Sequence, residues 1–228
     1  MPSEYHDFSI PKLPDGTEFI FSETIGGDER EKRLMDTLDA ILRWLLVSCF
    51  ESYESLLKDM YAQLGIVDPS SWHEKDVRKL LCGNSAAGFE DRRQALRDCS
   101  YPTLDLFNRL RRALPLLEAA DTGPGYACRF TILLHGKLRH SIVHGGGRIH
   151  TGDLTSDMTE RLARNLSVGE ETRIRAFLAA KDGDGFSTIK LLDGMREAPH
   201  WKRYVLDTAH QGALAYWASC KKLGVSIS

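Results

Sequence analysis

Three side chains able to move protons or hold phosphate fall within one short stretch, Arg139-His140-Ser141-Ile142-Val143-His144, which runs into Gly145-Gly146-Gly147. Imidazole exchanges a proton near neutral pH. A guanidinium keeps its charge and must find a partner or water. Together they suit phosphodiester chemistry, one group moving protons while the other holds the negative phosphate. At about 100° per residue, Arg139 and His144 lie roughly 140° apart around a helix and do not share a face. His140 falls between them in projection and shares a face with His144. A site that uses both Arg139 and His144 therefore needs a helix end bordering a cleft, or a second copy of the chain across a two-fold axis.

Two plainer readings of the same residues stand beside this one. A His in the last helical turn before Gly caps carbonyls and complements the helix dipole. His140 and His144 also have the spacing of a helical zinc pair, but Ser141 stands where the general-base Glu of such a motif would be. His135 and His150 are the candidates for a third ligand, with no carboxylate or Cys cluster beside them, so no metal and no cofactor is expected. Glu51, after Phe50 on an apolar-rich helix, is a candidate acidic partner for Arg139, or else an exposed Glu. Arg109, Arg111 and Arg112, with Arg92, Arg93 and Arg97 upstream, form the most basic stretch. They read as phosphate contacts for RNA or as the solvated faces of two helices. Cys128 reads as a buried thiol, and Tyr126, Trp201 and Trp217 as core.

The elements that must position these groups are mostly helical. Leu34, Leu38, Ile41, Leu42, Leu45, Leu46, Cys49, Tyr53, Leu56, Leu57, Met60 and Leu64 recur at three- and four-residue steps. They predict an amphipathic helix of about thirty residues ended by Gly65. Residues 1–28 read as an extended segment with a short strand at Phe19-Ile20-Phe21, ahead of a helical domain over 29–228. Short helices are expected through Val77 and Leu80 and over Asp91–Arg97. Pro102 opens another through Leu110, with a bend at Pro115. Asp121–Gly125 reads as a break. Residues Tyr126–His144 are apolar on most sides, as in a central helix, and the glycines stop it. Asp157 with Glu160 resembles a capping box for a helix to about Leu166. Residues 174–180 and 186–192 around Lys181–Gly185 read as a hairpin, with a helix starting at Ser167-Glu170 as the competing reading. The last helix spans Trp201–Leu223, with Tyr204, Val205, Thr208, Ala209, Ala213, Tyr216 and Trp217 as its apolar face.

Composition narrows the class. The chain has 228 residues, 42% hydrophobic and 27% charged, with a formal net charge of −2. Nucleic acid would have to be met by a local basic patch rather than by the whole-molecule field. No apolar run is long enough for a bilayer, and Glu4, His6 and Asp7 are unlike a signal peptide. Five scattered cysteines without a CxxC pair suggest neither a disulfide framework nor a zinc ribbon. A cytoplasmic protein is expected.

Arg139, His140 and His144, with the hydrophobic pair Ile142-Val143 and Gly145, resemble the signature of the HEPN superfamily: Arg, a polar residue that is commonly Asn and sometimes His or Asp, three variable residues, and His near a helix end. The long early helix carrying Phe50-Glu51 fits as well. The resemblance covers roughly residues 30–222 as an arrangement of helices and about ten residues as a motif. It implies a mainly α, antiparallel helical bundle, to which the residues themselves add the small β-hairpin in the C-terminal third. It further implies a metal-independent endoribonuclease acting as a homodimer, with Arg and His of two protomers meeting at one cleft. His144 would activate the ribose 2′-hydroxyl or protonate the leaving oxygen, Arg139 would hold the phosphate, and His140 would orient one of them. DNA lacks that internal nucleophile. Such enzymes include toxins and phage-defence effectors, which would add an antitoxin or partner protein to RNA as partners. The alternative is a non-catalytic HEPN-type module binding RNA, a nucleotide or a protein.

Overall fold

Long helical periodicities dominate the sequence, and helices dominate the fold. The computed structural model describes residues 8–9, 20–21, 27–72, 74–99, 101–122, 128–179, 183–191 and 199–222. In chain order these are β1 (Phe8–Ser9), β2 (Ile20–Phe21), α1 (Gly27–Val67), α2 (Glu74–Leu80), α3 (Phe89–Asp98), α4 (Thr103–Ala113) and α5 (Pro115–Thr122). They continue with α6 (Cys128–Gly145), β3 (Arg148–His150), α7 (Thr151–Leu162), α8 (Val168–Ala176), β4 (Phe186–Thr188) and α9 (Pro199–Lys222). The chain divides into two units, Met1–Leu38 and Asp39–Ser228. In the first, β1 and β2 pair antiparallel, with Phe8 opposite Phe21. The expected break at 121–125 falls mostly, and Tyr126 and the side chain of Trp201 fall wholly, outside the described residues.

The first helix is longer than its periodicity predicts. Gly65 does not end it. The glycine instead makes room for Trp72, whose indole Nε1 would lie 2.4 Å from a Cβ there. Trp72 stacks on Tyr61 at 4.9 Å and donates from Nε1 to the Tyr61 carbonyl at 2.7 Å. The buried Arg92 guanidinium covers the indole at 4.7 Å and donates to the carbonyls of Ser85 and Ala87. Arg92 is therefore a core residue rather than part of a solvated basic face.

The core of the second unit gathers around α6. Phe130, Leu134 and Leu138 are fully buried there, as a helix apolar on most sides requires. Helix α6 packs against α4, α7 and α9, and it runs antiparallel to α1: Phe50 meets Gly136, Glu51 meets Arg139, and Arg43 meets Gly146 and Gly147. Gly136 permits the close crossing, since a Cβ would lie 3.3 Å from Phe50 Cζ.

Helix α9 buries Tyr204, Thr208 and, in part, Val205 of the expected face, but its C-terminal half is buried on another. Tyr204, Thr208, Gln211, Ala215 and Ala218 point inward, while Tyr216 and Trp217 are exposed. Gly212 explains the rotation, because Leu56 of α1 lies 3.2 Å from the position of its absent Cβ. Small residues let α9 approach α1, and the bulky rings are left outside.

The C-terminal third holds the small antiparallel strand pair, with one partner changed. β4 pairs with β3, Ile149 opposite Ser187, and among the described residues the Leu178–Ile189 bridge alone joins the two arms of the expected hairpin. Residues 168–176 are helical because Ser167 and Glu170 complete a reciprocal capping box. The Arg164 guanidinium, at 2.6 Å, holds the Glu170 carboxyl down at about 2. Helix α7 begins at Thr151 rather than near Asp157, capped by His150 Nδ1, which accepts from the Asp153 N–H. It closes at Ala163, in left-handed conformation.

Candidate functional site

The glycines after α6 act as the sequence predicts, and they do more than stop a helix. Gly146 and Gly147 have φ of +60° and +81°, a region that only glycine enters without strain. The Gly147 N–H returns to the Ser141 carbonyl, six residues back, at 2.9 Å. Arg43 of α1 lies against this turn, its Nη1 2.5 Å from where a Gly147 Cβ would be. The Gly147 carbonyl accepts from Ile189 N–H at 2.8 Å. The end of α6 is thereby fixed from both sides, with the motif on its last turns.

Glu51 answers to both of its readings, exposed and paired with Arg139. Arg139 Nη2 donates to Glu51 Oε1 at 2.7 Å, with the two side chains 33% and 53% exposed, so the pair orients more than it stabilises. His140 and His144 are exposed and lie ring to ring, with centroids 4.7 Å apart and planes tilted 49°. Burial, then the neighbouring His144, Lys137 and Arg139, push the His140 imidazole below its ordinary value. A neutral imidazole there is ready to accept a proton.

Arg139 and His140 line one cleft of about 350 Å³, together with Lys137, Arg161, Glu54, Thr103 and Tyr101, over a floor that includes Phe50, Leu104, Ile132 and Leu133. His144 does not line it. The separation expected from helical geometry is thus present: Arg139 and His140 share the cleft, and His140 bridges to His144 outside it. Lys137 and Arg161 were not singled out by motif or basic run. Lys137 lies three residues before His140 and seven before His144, on their face, and that spacing is the one signal the sequence carried for it.

The Arg109, Arg111 and Arg112 group lies elsewhere. Arg109 forms an ion pair with the buried Asp76 and lies 4.7 Å over the Tyr101 ring. Tyr101 donates its hydroxyl to the same carboxylate at 2.5 Å. Arg109 and Arg112 line a second cleft, of about 610 Å³, beside Asp68, Asp76, Asp105 and Lys222. None of the three arginines lines the Arg139 cleft.

His135 and His150 are occupied structurally. His135 is 2% exposed and stacks on Tyr204 at 3.8 Å. Thr208 gives its hydroxyl proton to the Tyr204 carbonyl, so at 3.2 Å it accepts from His135 Nδ1–H. Burial, then Arg173, holds this imidazole neutral, well below its ordinary value. His150 caps α7. Among the described residues, no three His, Cys, Asp or Glu side chains are placed to hold a metal ion. No described helix is long and apolar enough to cross a membrane. Cys128 is buried, as expected of an inert thiol. No protein family, curated protein or solved structure matches the chain.

Proposed function

We propose that this chain is a HEPN-like endoribonuclease that cleaves RNA by attack of the ribose 2′-hydroxyl, at a site shared across a homodimer. The observation that carries the reading is the ring-to-ring pair His140–His144 at the exposed end of α6, beside an Arg139 that Glu51 holds toward a cleft. An imidazole takes the 2′-hydroxyl proton, the 2′-oxygen bonds to phosphorus, and the bond to the 5′-oxygen breaks. That oxygen leaves with a proton from a second group. Arg139 holds the non-bridging oxygens as their charge grows. His144 is outside the cleft that Arg139 lines, and in this reading the His144 of a second copy completes it. RNA would be the substrate, and a toxin or defence role its setting.

Purified protein incubated with single-stranded RNA in EDTA should yield fragments ending in 2′,3′-cyclic phosphate and leave DNA of the same sequence intact. Arg139→Ala and His144→Ala should each lower the rate by about 100-fold or more. Equal activity in all three proteins would remove these residues from the chemistry.

A non-catalytic RNA-, nucleotide- or protein-binding module is the second reading. The absence of His144 from the cleft lining favours it. It expects RNA or partner retention with no cleavage products.

A further inference from the structure

Four groups that can carry positive charge line the Arg139 cleft: Lys137, Arg139, His140 and Arg161. One carboxylate, Glu54, lines it as well, and it is already engaged by Lys58 at 2.7 Å and by the Thr103 hydroxyl at 2.8 Å. The cations are steadied by carboxylates that are not in the lining. Asp157 binds Lys137 Nζ at 2.9 Å and Arg161 Nε at 3.2 Å, and Glu51 binds Arg139.

The larger cleft has the opposite arrangement. There the carboxylate partners of Arg109 and Lys222, Asp76 and Asp68, line the same cavity as the cations. An anion entering it would meet neutralised charge. In the Arg139 cleft it would meet cationic heads fixed in place, with less ordering left to do on binding.

We propose that Lys137 and Arg161 bind phosphates of single-stranded RNA next to the phosphate held at Arg139. The proposal rests on the reading of this cleft as an RNA site. Lys137, His140 and His144 follow one another on a single helical face, at steps of ~4.5 Å and ~6 Å along the axis. A strand laid along α6 would therefore pass Lys137 before reaching the imidazoles. Arg161, on α7, approaches the same cleft from the side. Asp157 holds both cations from one position, so the pair acts as one clamp.

The test measures binding apart from cleavage. A fluorescein-labelled, unstructured RNA 12-mer is titrated by anisotropy in EDTA at several salt concentrations, with His144→Ala as the background protein so that the probe survives. Lys137→Gln and Arg161→Gln should each raise Kd by about five- to tenfold and lower the slope of log K against log salt by about 0.7. Lys137→Arg should keep the slope. Arg112→Gln, in the other cleft, should leave both unchanged. With His144 restored, Lys137→Gln should raise KM more than it lowers kcat.

RNA binding with an unaltered slope in Lys137→Gln and Arg161→Gln, or a slope that falls in Arg112→Gln instead, overturns the clamp and leaves the RNA reading standing. No RNA binding by the background protein and no cleavage by the wild type overturns both. Reduced slopes without any cleavage keep the clamp and favour the non-catalytic module. Thermal denaturation of each variant separates lost contact from lost fold: a Lys137→Arg protein that is folded yet has a reduced slope counts against the clamp.

Discussion

Glu51 and Arg139, 88 residues apart in sequence, form a 2.7 Å hydrogen-bonded ion pair between two antiparallel helices. The pair is half open to water, which limits its contribution to stability to about 0–1 kcal/mol. Its larger effect is to fix where the guanidinium points. Glu51→Gln should therefore lower RNA cleavage about tenfold, while the melting temperature moves by less than about 4 °C. Parallel activity and thermal-shift measurements check this. A large loss of stability with proportionate loss of activity would make Glu51 a structural residue only.

The proposal of a site shared across a homodimer makes a prediction about mixtures. Arg139→Ala and His144→Ala proteins, each inactive alone, should regain up to about one quarter of wild-type activity when co-refolded. Half of the dimers would be mixed, and each of those would carry one site with both native groups. Continued inactivity in a mixture shown to contain mixed dimers would rule out a site that takes Arg139 from one chain and His144 from the other.

Gly147→Ala forces a side chain onto a φ of +81° and toward Arg43. A loss of about 1–2 kcal/mol is expected in urea denaturation. Gly145→Ala has open space around its new methyl and no positive φ, and should change stability by less than about 1 kcal/mol. Equal effects at the two positions would contradict the left-handed turn.

His135 predicts the direction of acid sensitivity. Its folded-state value is depressed, so the unfolded chain takes up a proton more readily. Stability from this group is complete above its ordinary value of 6.5 and is lost as pH falls below it, by up to about 1.4 kcal/mol per pH unit. His140 acts in the same direction, but more weakly because it is exposed. Melting temperatures recorded from pH 7.5 to 5 should fall, and His135→Gln should flatten that slope while lowering stability at pH 7.5. A wild-type profile that rises toward pH 5 would contradict a neutral buried imidazole.

Much of this arrangement is legible in the residues. The periodicity of α1, the apolar circumference of α6 and the three glycines place the motif on a helix end. The angle between Arg139 and His144 follows from helical geometry alone. Glu51 is recognisable as a partner because it follows Phe50 on the packed face. Other features depend on what packs where. Leu34, Leu38, Ile41 and Leu45 continue the stripe on α1 yet are exposed, since periodicity shows that a face exists and not what covers it. The inward face of α9 is chosen by Gly212, Ala215 and Ala218, whose value lies in close approach rather than in hydrophobicity. Asp157 resembles a helix start, but its carboxylate binds Lys137 and Arg161 instead. Those two cations come from helices on either side of the glycine turn and β3, and no local pattern announces a cleft built from both.

The turn at Gly146-Gly147 has a consequence for how the chain tolerates changes in length. Through it α6 is moored to Arg43 on one side and to Ile189 on the other. Insertions between α8 and β4 are harmless only while Ile189 still reaches the Gly147 carbonyl. The position of Ile189, far along the chain, thus bears on the end of the helix that carries Arg139, His140 and His144.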